Sequence, residues 1–176
     1  MFRKSVSTAV LGIALLSTAA LAKEGMKDDS KAFLKMAAQS GAAEIAHAKV
    51  ALTMASNPDI QAFAKEMIAD HEMVHVKVAD LAKAHKVSLS TELTAKQKAE
   101  SKRLTKLNDN NREFDREYLA LTIKEHEKAI KAFEKQAESG TDAEVRALAA
   151  GTLPKLKAHL EHAATLNTRL NMKSNE

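Results

Sequence analysis

Four ionisable side chains stand where this 176-residue chain would otherwise place apolar ones. In four segments with apolar residues at three/four spacing, Glu44 falls between Gly41 and Ala48, and His71 between Met67 and Val74. His126 falls between Thr122 and Ala129, and His159 between Leu156 and Ala163. Imidazoles and a carboxylate that converge inside a protein suit Fe, Zn, Cu or Mn, so Glu44, His71, His126 and His159 are candidate metal ligands. The same four can instead pair as a hydrogen-bonded network that fixes helix register, because a buried charge needs a partner in either case. His47 follows Glu44 at i+3 and His75 follows His71 at i+4, so each pair shares a helix face. With Asp70, which adjoins His71, and Asp115, they are secondary candidates. Asp115 and Tyr118 are read as ties between a connector and the third long helix. His85 and His162 fall on polar faces and are expected in solvent.

The elements that must position these residues are helices. Ala, Lys, Glu and Leu dominate, with only five Gly and two Pro. The first long segment, 30–56, stops at Asn57-Pro58-Asp59, where Asn57 can cap the next helix and Pro58 suits its first position. The second runs over 58–86, and the short link makes the two antiparallel neighbours. The third follows Asn110-Asn111 and reaches 138. Ser139-Gly140 ends it, and Thr141-Asp142-Ala143-Glu144 reads as a capping box opening the fourth, to 171. Pro154 lies inside that last helix and should kink it near 150–152.

Residues 87–110 connect helices two and three, and Thr94-Ala95-Lys96-Gln97 opens a short helix there over 95–107. A connection that long allows helices two and three to be parallel, the arrangement of ferritin-like bundles. Counted from the turns, Glu44, His71 and His126 then share one level. His159 is offset by roughly 7 Å at 1.5 Å rise per residue.

Arg3 and Lys4, an uncharged apolar run over 5–20 and the small-x-small site Ala20-Leu21-Ala22 describe a cleavable signal peptide, 1–22. The run is shorter than the ~20 apolar residues a spanning helix requires. The chain left after cleavage has no transmembrane segment, and a periplasmic or peripheral envelope location is expected. Its domain is 30–171, with 23–29 and 172–176 expected as disordered tails. Cleavage removes two positive charges and lowers the formal net charge from +4 to +2. One Tyr, five Phe and no Trp leave few stacking platforms for bases, and no nucleic-acid role is predicted. The absence of cysteine excludes disulfides, thiolate metal sites, covalent haem attachment and cysteine nucleophiles.

Glu44, the Asp70-His71 pair, Phe114-Asp115-x-x-Tyr118 followed by His126, and Leu153-Pro154-x-x-x-x-His159 together resemble a known family. It is the group of uncharacterised bacterial ferritin-like proteins often labelled predicted outer membrane or periplasmic proteins, a domain of unknown function. The resemblance spans about residues 30–170 and implies an all-α, ferritin-like four-helix bundle at an exported location. It carries no settled activity. The di-iron pattern of two Glu and two Glu-x-x-His is not met, since the E-x-x-H pairs, Glu44–His47 and Glu72–His75, sit on the first two helices. No nucleophile–base pair, phosphate loop or nucleotide fingerprint is visible, and the reading leans away from an enzyme. The expected role is a metal-binding or stress-associated accessory protein. The alternatives are a non-covalent haem bundle, with two core histidines as axial ligands, and a small periplasmic chaperone, from Leu93-Thr94-x-x-Gln97.

Overall fold

The computed structural model describes residues 26–107 and 111–172. Among these residues there are five helices and no strand: α1 (Asp28–Met54), α2 (Pro58–Ala84), α3 (Ala95–Thr105), α4 (Asn111–Ser139) and α5 (Ala143–Met172). The signal peptide expected over 1–22 lies outside the described residues. None of the helices among them is long and apolar enough to cross a membrane.

Local chemistry sets the boundaries. The Asn57 side chain accepts from the Asp59 N–H at 2.9 Å, with Pro58 in the first turn, and Thr94 and Gln97 form a reciprocal capping box. At α5 the cap is one residue later than expected. Asp142 Oδ1 accepts from the N–H groups of Glu144 and Val145 at 2.9 and 3.1 Å. Thr141 turns away to Asp29, its hydroxyl donating at 2.6 Å. That contact orders the chain start: α1 opens at Asp28, two residues before the expected position, and Met26 is buried. α5 runs unbroken through Pro154, whose neighbours Thr152 and Leu156 are both buried and hold the helix to its partners.

Polar contacts define the directions of the helices. Gln136 near the end of α4 donates to Ser30 at the start of α1 (3.2 Å), and Asp115 near the start of α4 receives the Ser56 N–H just after α1 (3.1 Å). α1 and α4 are therefore antiparallel. His85, after the end of α2, meets Glu144 at the start of α5, and Glu66 in α2 meets His162 in α5. α2 and α5 are thus antiparallel too, and α4 runs in the same direction as α2. The connector holds to α1 and α4 through buried Leu104, a Ser101–His47 hydrogen bond and an Arg103–Glu117 ion pair.

The apolar core is in two parts. One gathers Ala48, Ile60, Phe63, Met67, Phe114, Leu119 and Leu166; the other gathers Leu34, Val78, Phe133, Val145 and Ala149. Each fully buried large side chain contributes about 1.5–3 kcal/mol, and Phe33 adds an edge-on contact to Phe133 with ring centroids 4.8 Å apart. On α1, α2, α4 and α5 alike, the gap between the two clusters is where Glu44, His71, His126 and His159 lie.

Candidate metal centre

Three histidines from three helices converge in that gap. His71, His126 and His159 are 5%, 0% and 1% exposed, and every pair of their rings has centroids 5.5 Å apart. One nitrogen from each lies within 4.8 Å of the other two. The offset expected for His159 does not separate them. Helical side chains lean toward the helix N-terminus. The His126 ring leans back over the Thr122 carbonyl, while on antiparallel α5 the His159 ring leans the opposite way. The two tilts close the gap, and His126 Nε2 and His159 Nδ1 are 3.4 Å apart.

The outer nitrogens have fixed partners. His71 Nδ1 meets Glu44 Oε2 at 2.9 Å, His126 Nδ1 meets the Thr122 carbonyl at 3.1 Å, and His159 Nε2 meets Asp70 Oδ2 at 2.9 Å. A carbonyl or carboxylate oxygen only accepts, so each imidazole donates outward from its N–H. The inward nitrogens of His126 and His159 are left as bare lone pairs facing one another. His71 Nε2 is buried and has no hydrogen-bond partner.

Burial opposes the charge on Glu44, but the His71 imidazolium and its hydrogen bond outweigh it, and the carboxyl ends below its usual range. Burial likewise disfavours the charged form of His71, and Glu44 more than offsets it, so the imidazole is raised. Burial pushes His126 down to about 4, aided by the neighbouring histidines and opposed by Glu44. His159 is also lowered by burial, against its Asp70 hydrogen bond. For Asp70 burial is overcome by Lys155, at 2.8 Å, and by His159, and the carboxyl stays ionised. Two carboxylates thus back a cluster of three imidazoles, two of them neutral.

Of the four leading candidates, then, His71, His126 and His159 share one centre, and Glu44 stands behind His71. Asp70 stands behind His159 in the same way. His75 lies one turn from His71, and its Nδ1 is buried without a partner. His47 points elsewhere, with Nε2 3.0 Å from Ser101 Oγ and Nδ1 3.4 Å from Glu125, tying α1, α3 and α4 together. The sequence shows no such chain, because 54 residues separate Ser101 from His47. Asp115 is remote from the centre. It ties α4 to the α1–α2 turn rather than to the connector, accepting from Ser56 N–H, Ser56 Oγ (2.7 Å) and Asn57 N–H. The Tyr118 hydroxyl is buried with no hydrogen-bond partner of ordinary geometry.

His85 departs from expectation. Its side chain is 5% exposed and 3.0 Å from Glu144, with Asp142 at 4.0 Å. It caps the end of α2 against the start of α5, a contact that the polarity of its own helix face does not reveal. His162 is exposed, as expected, and pairs with Glu66. Sequence reasoning missed Lys155, although its i−4 spacing from His159 puts both on one face.

The fold and the centre define an all-helical domain with a histidine–carboxylate cluster between two apolar layers. The chain belongs to the family described as Domain of unknown function (DUF4142), which matches residues 15–166. No curated protein and no solved structure gave a match.

Proposed function

We propose that this chain is an exported, ferritin-like metal-binding protein of the bacterial periplasm, with His71, His126 and His159 as the ligands. One observation carries the reading: the outer nitrogens of all three imidazoles rest on acceptors, so the inner nitrogens of neutral His126 and His159 turn lone pairs to one another, and His71 offers its own once an ion displaces its inner proton. A metal-ligating histidine is held in this way by a carboxylate or a carbonyl behind it. Two nitrogens on one tetrahedral zinc, each at ~2.05 Å, lie about 3.3 Å apart. His126 and His159 already stand at 3.4 Å. Glu44 and Asp70 put two negative charges beside the ion, one of them shared with Lys155. A set of three imidazoles, with His71 deprotonated on binding, favours Zn or Cu over Mn, and disfavours the oxygen-seeking Mg and Ca.

The paired antiparallel hairpins and the connector between α2 and α4 support the ferritin-like reading. A bare ion fits better than haem, because the cavity beside His71 is only about 20 Å³, and drug-sized ligands need pockets of roughly 300 Å³ or more. The test is a thermal melt in chelator and then in Zn, Cu, Fe or Mn. Zn or Cu at 100 times its dissociation constant should add about 2.7 kcal/mol, or roughly 5–10 °C. A melting temperature indifferent to every ion would overturn the reading.

A further inference from the structure

The metal reading leaves a cavity and an imidazole unused, and they adjoin. The cavity of about 20 Å³ is bounded by Gly41, Glu44, His71, His75, Ala129 and Leu156, among others. Ala129 and Leu156 are each one turn from His126 and His159. The space therefore abuts the three-histidine cluster on one side, with His71 in both. Such a volume holds one small molecule of about the size of water, provided that polar groups face it. Two of the lining residues carry a buried imidazole nitrogen without a partner, His71 at Nε2 and His75 at Nδ1. His71 Nε2 is accounted for by the ion; His75 Nδ1 is not.

We propose that the centre is of the open type: three protein ligands, with a fourth position facing this cavity and filled by a small exchangeable ligand. The occupant is water or a small inorganic anion, and His75 Nδ1 hydrogen-bonds to it. Three histidines plus a solvent molecule is the coordination of reactive zinc sites, whereas purely structural sites close all four positions with protein. A groove of about 230 Å³ between α1, α3 and α4 shares Ser40, Glu44 and Ala129 with the inner cavity. Lys96, Lys124 and Lys128 line that groove together with Glu44, Glu100 and Glu125, so its walls are polar with balanced formal charge.

Gly41 provides a clean way to close the space. It lines the cavity, its φ is not positive, and a Cβ built on it meets nothing within 4 Å. Gly41→Ala should therefore fold, and Gly41→Leu should fill the site.

The inference rests on the metal reading, and one experiment separates the two. The protein is loaded with Cu(II) and titrated with azide, following the azide-to-copper charge-transfer absorption. Wild type should develop the band. Gly41→Ala should bind azide several-fold more weakly and Gly41→Leu at least tenfold more weakly, with copper stoichiometry unchanged in both. His75→Leu should also bind azide several-fold more weakly while keeping its copper. Copper bound with no azide band in wild type would overturn the open position and leave the metal reading standing. So would azide affinity equal in wild type, Gly41→Ala and Gly41→Leu. Azide affinity unchanged in His75→Leu alone would overturn the role of His75. Failure to bind copper, zinc or any other ion would overturn both readings together.

Discussion

Acidifying the metal-free protein should destabilise it through one residue in particular. His126 is fully buried, and burial holds it neutral down to about 4, against 6.5 for an ordinary imidazole. The unfolded chain therefore takes up a proton at His126 as the pH falls through 6.5, while the folded chain does so only near 4. Wherever the unfolded state binds more protons, stability rises with pH, so here it is present above 6.5 and lost on going down to 4. The whole span is worth about 3 kcal/mol at 1.36 kcal/mol per pH unit, and about 2 kcal/mol has gone by pH 5. For a domain of this size that is a fall of roughly 4–8 °C in Tm. His71 acts in the opposite direction, whereas Glu44 and His159 act in the same direction as His126. His71, raised, contributes stability below 6.5 that is lost as pH climbs through its folded value, and Glu44, lowered, contributes stability above 4.5 that is lost on acidification. All three remain in His126→Asn, which cannot titrate and whose amide can still donate to Thr122. The assay is Tm against pH from 8 to 5, in chelator, for wild type and His126→Asn. The wild-type curve should fall more steeply by the amount given. Parallel curves would refute the reasoning.

Further outcomes follow from the same contacts. Glu44→Gln and Asp70→Asn should each weaken zinc binding roughly 10–100-fold without abolishing it, as read by competition with a chromophoric chelator. Asp115→Ala removes three hydrogen bonds from the α1–α2 turn and should cost about 2–4 kcal/mol in urea unfolding, with zinc affinity unchanged. Gly41→Ala should stabilise α1 by about 0.5–1 kcal/mol, since its new methyl meets open space; a lower urea midpoint would contradict the geometry.

The helices were legible because Gly and Pro are scarce and the caps are strong. Asn57-Pro58 and Thr94–Gln97 lie where their spacing predicts, and helix bounds agree within about two residues. The candidate histidines were legible for a related reason: each interrupts an otherwise apolar stripe, and that marks a buried position. What pattern alone does not carry is the partner of each ring. Whether Glu44 is a ligand or stands behind one depends on which nitrogen it reaches, and that requires the packed geometry. Asp115 was assigned to the connector because the α1–α2 turn is 59 residues away in sequence. His85 was placed in solvent because helix-face polarity describes one helix, not the end of the next. Counting residues from the turns gives the level of the His159 backbone, which allows convergence near mid-bundle; the tilt of side chains toward their helix N-termini is what brings the rings together.

X-ray absorption on the zinc-loaded protein addresses the central claim most directly. One zinc per chain should be found, with three imidazole nitrogens at ~2.0 Å and one further oxygen or nitrogen donor that is not imidazole. His71→Asn, His126→Asn and His159→Asn should each lose the bound ion at equal protein and zinc concentrations. Zinc retained at full stoichiometry in those three variants, or a coordination shell without imidazole, would contradict the account.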